Sequence, residues 1–172
     1  GIELKSDDVM WKEIAKQADV AIDTADVILF LTDGREGLTP SDYDVADILR
    51  RSKKPVILVV NKIDEYSPDK IFEFYSLGLG EPFAVSAEHS QGIGDVLDEA
   101  VSLFPENTSE PVESLKIAVV GKPNAGKSSL VNRLLGAERS IVTPMAGTTR
   151  DAIDTLFERD GKKYTLIDTA GI

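Results

Sequence analysis

Cysteine is absent from the 172 residues, which rules out a disulfide framework, a thiolate metal site and a cysteine nucleophile. That fits a reducing compartment, and the expected location is the cytoplasm. Histidine occurs once, at His89, and tryptophan once, at Trp11. His89 stands beside Ser90 in a loop, where a solvated side chain is expected rather than a general base. Trp11 has Val9 and Ile14 near it and reads as a packing residue. Basic residues are scarce: 19 Lys and Arg stand against 30 Asp and Glu, a formal net charge of −11. A bare nucleic-acid binder is normally basic, so this chain alone is not expected to grip RNA or DNA strongly. Long apolar runs are missing too. The longest are strand-length, too short for a transmembrane helix, and no membrane partner is expected. Gly1-Ile2-Glu3-Leu4-Lys5 has no basic region leading into an apolar stretch, so it does not read as a signal peptide. It also lacks an initiator Met, as an excised or processed piece would. The remaining composition, 42% hydrophobic and 28% charged, is that of a globular chain, and the length suits one domain.

Apolar runs alternate with helix-like segments, a pattern of βαβ units. Val27-Ile28-Leu29-Phe30-Leu31, Val56-Ile57-Leu58-Val59-Val60 and Ile117-Ala118-Val119-Val120 are short and largely β-branched. Such runs fit strands covered on both faces of a parallel sheet. Phe83-Ala84-Val85 is a weaker fourth strand. Residues 152–157 alternate, Asp160-Gly161 turns, and Tyr164-Thr165-Leu166-Ile167 follows, which reads as an antiparallel hairpin. Helices are expected over Asp7 to Ala21, from Thr39-Pro40 onward, from Ser67-Pro68 onward, over Asp95 to Leu103 and over Gly126 to Leu135. Thr39 is a cap with Pro in the first turn behind it, and Val45, Ile48 and Leu49 point inward. The basic run Arg50-Arg51-Ser52-Lys53-Lys54 ends that helix, where C-terminal electrostatics account for it. One segment, residues 105–114, is polar, bears two prolines and lacks periodicity. Extended, it spans roughly 30 Å at about 3.3 Å per residue.

That linker separates two sets of chemistry. After it, Gly121-Lys122-Pro123-Asn124-Ala125-Gly126-Lys127-Ser128 matches G-x-x-x-x-G-K-[ST]. It follows a predicted strand and opens a helix, the context that gives the motif its specificity. Glycines let the backbone curl so that N–H groups point at a β-phosphate, and the helix N-terminus adds partial positive charge. Lys127 is placed to bridge β- and γ-phosphates, and Ser128, beside Ser129, to ligate Mg²⁺. Before the linker, Asn61-Lys62-Ile63-Asp64 leaves a buried strand. A carboxylate there accepts from guanine N1–H and the exocyclic amine; adenine offers no such pair, so Asp64 discriminates. Lys62 can lay its aliphatic stem on the base, and Asn61 can tie this loop to the phosphate loop. Ser86-Ala87-Glu88 follows the next strand, with the Ala87 N–H facing guanine O6. In Gly147-Thr148-Thr149-Arg150-Asp151, Thr149 rather than Thr148 is expected to complete the Mg²⁺ sphere. In Asp168-Thr169-Ala170-Gly171, Asp168 holds Mg²⁺ through water and the Gly171 N–H meets the γ-phosphate. Lys127, Thr149 and Gly171 form the expected catalytic set. All parts of a GTP site are present, but the guanine reader precedes the phosphate loop.

These residues resemble Era-like GTPases, and most specifically the Der (EngA) family of tandem G-domain proteins. The resemblance rests on Gly34-Arg35-Glu36-Gly37-Leu38-Thr39, on residues 74–82, on the phosphate loop continued through Asn132, and on Ala146 to Asp151. It covers essentially the whole chain and implies why the order is rotated. Residues 1–104 resemble the back half of a first G domain, 105–114 an inter-domain linker, and 115–172 the front half of a second. The chain starts at Gly1-Ile2 and stops at Gly171-Ile172, so joining end to start restores one unbroken G domain.

The resemblance implies one Ras-like α/β domain of P-loop NTPase type, three-layered and circularly permuted, with a mixed, mostly parallel six-stranded sheet. It implies GTP/GDP binding and Mg²⁺-dependent hydrolysis, in a parent protein acting on the large ribosomal subunit. Ribosomal or rRNA contact is expected through parent regions outside this chain. Where Ras-like enzymes use Gln to orient water, Ile172 stands, so that side chain cannot do so. In related proteins an Asn at the Asn124 position helps hold K⁺, which makes Asn124 the K⁺ candidate. With the segment around Gly171 severed, the chain is expected to bind GDP better than it turns over GTP. A naturally permuted GTPase, a non-enzymatic interaction module, and a monomer or domain-swapped dimer remain as alternatives.

Overall fold

The computed structural model describes residues 18–65, 68–103, 114–136, 141–146, 153–159 and 161–167. Trp11, most of the Asp7 to Ala21 helix, Ser67 and residues 105–113 of the linker lie outside the described residues.

The strands are β1 (Val27–Asp33), β2 (Val56–Asn61), β3 (Pro82–Ala84), β4 (Leu115–Val120), β5 (Ile141–Ala146), β6 (Ile153–Arg159) and β7 (Lys162–Ile167). They form one sheet in the order β3-β2-β1-β4-β7-β6-β5. Four neighbouring pairs are parallel, from β3 to β7. The β6–β7 hairpin and the β5–β6 pair are antiparallel. Six of the strands are those the sequence implies, and β5 extends the sheet at its antiparallel edge. Its segment, Ile-Val-Thr-Pro-Met-Ala, carries a proline, which weakens a strand signal and is tolerated at an edge.

The helices are α1 (Pro40–Ser52), α2 (Pro68–Phe72), α3 (Ile93–Ser102) and α4 (Lys127–Leu135). A helical segment over 18–24 precedes β1, and a 3₁₀ turn over Glu73–Leu77 continues α2. Together they cover both faces of the sheet. Because successive strand side chains point to opposite faces, Val27, Leu29, Leu31, Ile117 and Val119 pack against α3 and α4. Ile28, Phe30, Leu58, Val60 and Ala118 pack on the other side against α1, α2 and the 3₁₀ turn. That two-sided burial is why the strands read as continuous apolar runs.

Helix α1 begins as its sequence implies. Thr39 N–H and Oγ1 both donate to Asp42 Oδ2, at 2.8 and 2.6 Å. Its fully buried face is Asp42, Ala46 and Leu49, while Val45 and Ile48 sit at the margin, half-buried. The basic run after it does more than answer the helix dipole. Lys54 Nζ donates to the carbonyls of Asp23 and Ala25, and Arg50 donates to Asp47 and to Leu77 O.

Parallel pairing of β1 with β4 joins the two sides of the linker at the middle of the sheet. Asp26 and Lys116 seal that seam: Asp26 N–H donates to Lys116 O, and Lys116 N–H to Asp26 Oδ2, both at 2.9 Å. Every loop singled out for phosphate or guanine chemistry within the described residues therefore leaves the carboxyl end of a parallel strand, β4 and β2 inside the sheet and β3 at its edge. In open α/β sheets that is where ligands bind.

Candidate nucleotide site

The loop after β4 curls tightly, and two glycines allow it. Gly121 has φ 153°, and a Cβ on it would lie 2.3 Å from Leu31 O on neighbouring β1. Gly126 has φ 97°, and a Cβ there would lie 2.2 Å from Asn61 Nδ2. The loop is thus pressed against β1 on one side and the guanine-reading loop on the other. Pro123 and Asn124 form its exposed turn, with Asn124 left-handed at φ 62°. Ala125 is fully buried beneath.

Lys127 starts α4 and folds back over the loop. Its Nζ donates to Gly121 O at 2.8 Å and Lys122 O at 2.6 Å. Burial lowers its pKa from 10.5 to about 8. A phosphate oxygen would compete with those two carbonyls for the same ammonium. Ser128 and Ser129 follow, both exposed, on the first turn of α4. Lys122 is anchored away from that centre. Its Nζ sits 3.0 Å from Glu36 Oε2 and 3.5 Å from buried Asp42 Oδ2.

Asn61 is the joint between the two loops. Its Nδ2 donates to Ala125 O at 2.9 Å, and its Oδ1 accepts from Ala87 N–H at 3.0 Å. One buried carboxamide holds the phosphate loop and the Ser86–Glu88 loop together. The Ala87 N–H expected to face guanine O6 is therefore already donated to Asn61, and O6 would share it. Lys62 is left-handed at φ 66°, a strained backbone for any residue that carries a Cβ. Its Nζ donates to Asp33 Oδ2 at 2.5 Å and to Asn124 O at 2.7 Å. The lysine stem consequently lies across the gap between guanine loop and phosphate loop.

Asp64 closes the pocket. Arg35 donates to its Oδ2, and Ser86 Oγ donates to its Oδ1 at 3.0 Å. The Arg35 bond first and the Ser86 bond second hold the Asp64 carboxyl below the usual carboxylate range. Asp33 is also held low. Burial opposes its charge, but the Lys62 ammonium and the N–H groups of Glu36 and Arg35 overcome that. His89 lies in the loop as expected, with Nε2 3.8 Å from Asp64 Oδ1.

Asn61, Lys62, Asp64, Ser86, Ala87, Glu88, Gly126 and Ser129 thus border a single cavity of about 100 Å³, together with Arg35. Thr149, Asp168, Gly171 and Ile172 lie outside the described residues. Of the expected Mg²⁺ ligands, Ser128 is the one among the described residues, exposed on the first turn of α4 beside Lys127. No cluster of three or more His, Asp or Glu fit for a metal occurs among the described residues.

A family model described as 50S ribosome-binding GTPase matches residues 1–62 and 116–172. The chain belongs to the 50S ribosome-binding GTPase family. The matched blocks lie on either side of a gap containing the linker, so each half carries family sequence of its own. Among curated relatives, GTPase Der of Clostridium tetani is 54% identical over 175 residues, covering 100% of this chain and 40% of that protein. GTPase Der of Heliobacterium modesticaldum is 60% identical over 162 residues, covering 92% of this chain and 37% of that protein. The chain therefore spans about 40% of the length of the Der proteins it matches. In fold it is similar to YjeQ from Thermotoga maritima, with a TM-score of 0.54 at 19% identity over 84% of this chain and 47% of that one.

Within this GTPase family site, motif reading missed three side chains. Asp33 positions Lys62, Arg35 pairs with Asp64, and Arg133 supports the Ser86–Glu88 loop. Arg133 Nε donates to Ala87 O at 3.2 Å, and its guanidinium also donates to Glu88 O at 2.8 Å. Asp33 ends β1 and Arg35 lies just past it, positions that could have drawn attention. Arg133 sits six residues into a helix, and only the tertiary fold brings it there. Among the described residues, no helix is long and apolar enough to cross a membrane.

Proposed function

We propose that this chain forms one circularly permuted G domain that binds GDP and GTP with Mg²⁺ and hydrolyses GTP. The observation that carries this reading is Asn61, whose carboxamide bonds the phosphate loop and the guanine loop at once. Residues from both sides of the linker then serve one nucleotide. Asp64 reads the guanine edge, Ser86-Ala87-Glu88 meets O6, and the N–H groups of 121–128 with Lys127 hold the phosphates. When bound, Mg²⁺ would neutralise part of the phosphate charge. Ser128 would hold it, with Thr149 and Asp168 proposed as the further ligands. Gly171 is proposed for the γ-phosphate.

This reading makes the chain a stronger binder of GDP than a catalyst. Ile172 offers no side chain to orient water, and Asn124, at the exposed turn of the loop, is proposed to help hold K⁺ as the compensating charge. The β1–β4 pairing can be made within one chain or between two copies, and light scattering decides between a monomer and a domain-swapped dimer. For the parent protein, the 50S ribosome-binding GTPase family model supports a role at the large ribosomal subunit, and a cytoplasmic location with ribosomal contact through regions beyond this chain is part of the same proposal. The test is a calorimetric titration of GDP with Mg²⁺, with ADP as control. One GDP per chain and no ADP response is expected. No GDP binding would mean that the two halves do not make a site.

A further inference from the structure

The loop leaving β1 carries Arg35 to the guanine-reading carboxylate. The loop is fixed from below: the N–H groups of Arg35 and Glu36 donate to Asp33 Oδ1 at 2.9 and 3.2 Å. Asp33 Oδ2 is in turn held by Lys62. The backbone of Arg35 is thus set beside the guanine loop, while its side chain is 60% exposed and free to change rotamer. That side chain borders the same cavity as Asn61, Asp64 and Ala87, and its guanidinium donates to Asp64 Oδ2. Glu88 and Asp33 add favourable charge around it.

A guanidinium is a planar group whose paired N–H donors match a carboxylate. The guanine edge that Asp64 is proposed to read, N1–H with the 2-amino group, offers the same chemistry. With Arg35 on Oδ2 and Ser86 on Oδ1, the base edge must compete with Arg35 for the carboxylate. We propose that Arg35 sets nucleotide affinity by standing in for the guanine edge on Asp64, and must release that carboxylate before the base binds. This rests on the nucleotide-site reading above. Exposed ion pairs are weak and screened by salt, so Arg35 tunes binding and does not block it. It also keeps Asp64 ionised and oriented toward the cavity, with Ser86 holding the other oxygen.

The test is GDP titration, with Mg²⁺, of the unaltered chain, Arg35→Ala and Arg35→Lys. In about 0.05 M NaCl, Arg35→Ala is expected to bind GDP about two- to five-fold more tightly. Arg35→Lys, which keeps the charge but not the paired donors, falls between the two. In about 0.5 M NaCl the gap closes to less than about 1.5-fold, because the displaced pair is screened. Equal or weaker binding by Arg35→Ala at low salt overturns the proposal and leaves the nucleotide site standing. A gap that is undiminished at high salt overturns it as well. No GDP binding by any of the three chains removes the nucleotide site itself and the proposal with it.

Discussion

On the proposed nucleotide reading, Lys127 is the residue whose titration reports most directly on phosphate. Burial lowers its pKa to about 8, while the unfolded chain keeps the ordinary value of 10.5. Between those two values the folded chain holds fewer protons, so this group's contribution to stability rises with pH across that window. Below about pH 8 its burial penalty is present in full. A bound β-phosphate supplies the missing counter-charge and restores the proton. GDP binding at about pH 9 should therefore take up most of one proton, and at about pH 6.5 almost none. Calorimetry in two buffers of different ionisation enthalpy reads the difference. Enthalpies independent of buffer at the higher pH would contradict the placement of Lys127 on the phosphate. Asp64 gives the complementary residue test. Asp64→Ala removes an acceptor for two charge-assisted bonds and should weaken GDP by roughly 10²–10⁴-fold. The absence of an ADP response should stay as it was. A loss of less than about five-fold would place the base elsewhere.

In the proposed function, helix α4 links phosphate binding at its first turn to guanine recognition at its last. Lys127 and Ser128 face the phosphate loop, while Arg133, nearly two turns on, fastens the carbonyls of Ala87 and Glu88. Arg133→Ala should leave the fold intact and loosen that loop, weakening GDP by about three- to ten-fold for roughly 1 kcal/mol of lost support. A drop in GDP affinity accompanied by an equal loss of stability without nucleotide would make Arg133 merely structural. Gly126 is the stricter constraint. Gly126→Ala must move Asn61 or bend the loop, because its Cβ would meet Asn61 Nδ2 at 2.2 Å, and it should cost about 1–3 kcal/mol. Elements of this kind separate what was legible in the sequence from what was not. The buried strands were legible, because burial on both faces leaves an unbroken apolar run. The phosphate loop and Asn61-Lys62-Ile63-Asp64 were legible as well, since phosphate and guanine edges each demand fixed residue types at fixed spacing. Strand β5 was not, since its proline breaks the pattern and its place at the edge comes from pairing with β6. Nor were Arg35 and Arg133, whose roles depend on partners 29 and about 45 residues away.

At the scale of the whole molecule, the question is whether two halves of family sequence behave as one unit. The sheet runs unbroken through β2, β1, β4 and β7, with both halves contributing to its centre. One core cluster mixes Leu29, Val59 and Val96 from before the linker with Ile117, Leu130 and Leu166 from after it. Neither half can bury those side chains alone, so the chain should unfold in a single cooperative transition. A ligand that binds only the folded state raises stability by RT ln(1 + [L]/Kd), about 2.7 kcal/mol at a hundred-fold excess over Kd. For a domain of this length that corresponds to a rise in Tm of about 5–10 °C. Scanning calorimetry with and without GDP and Mg²⁺ measures both features at once. One transition that moves as a whole, with ADP leaving it in place, is the expected result. Two transitions, of which GDP shifts only the one belonging to residues 115–172, would mean that the phosphate half holds the nucleotide by itself. The Asn61 bridge would then have no energetic consequence, and the guanine specificity assigned to the other half would fall with it.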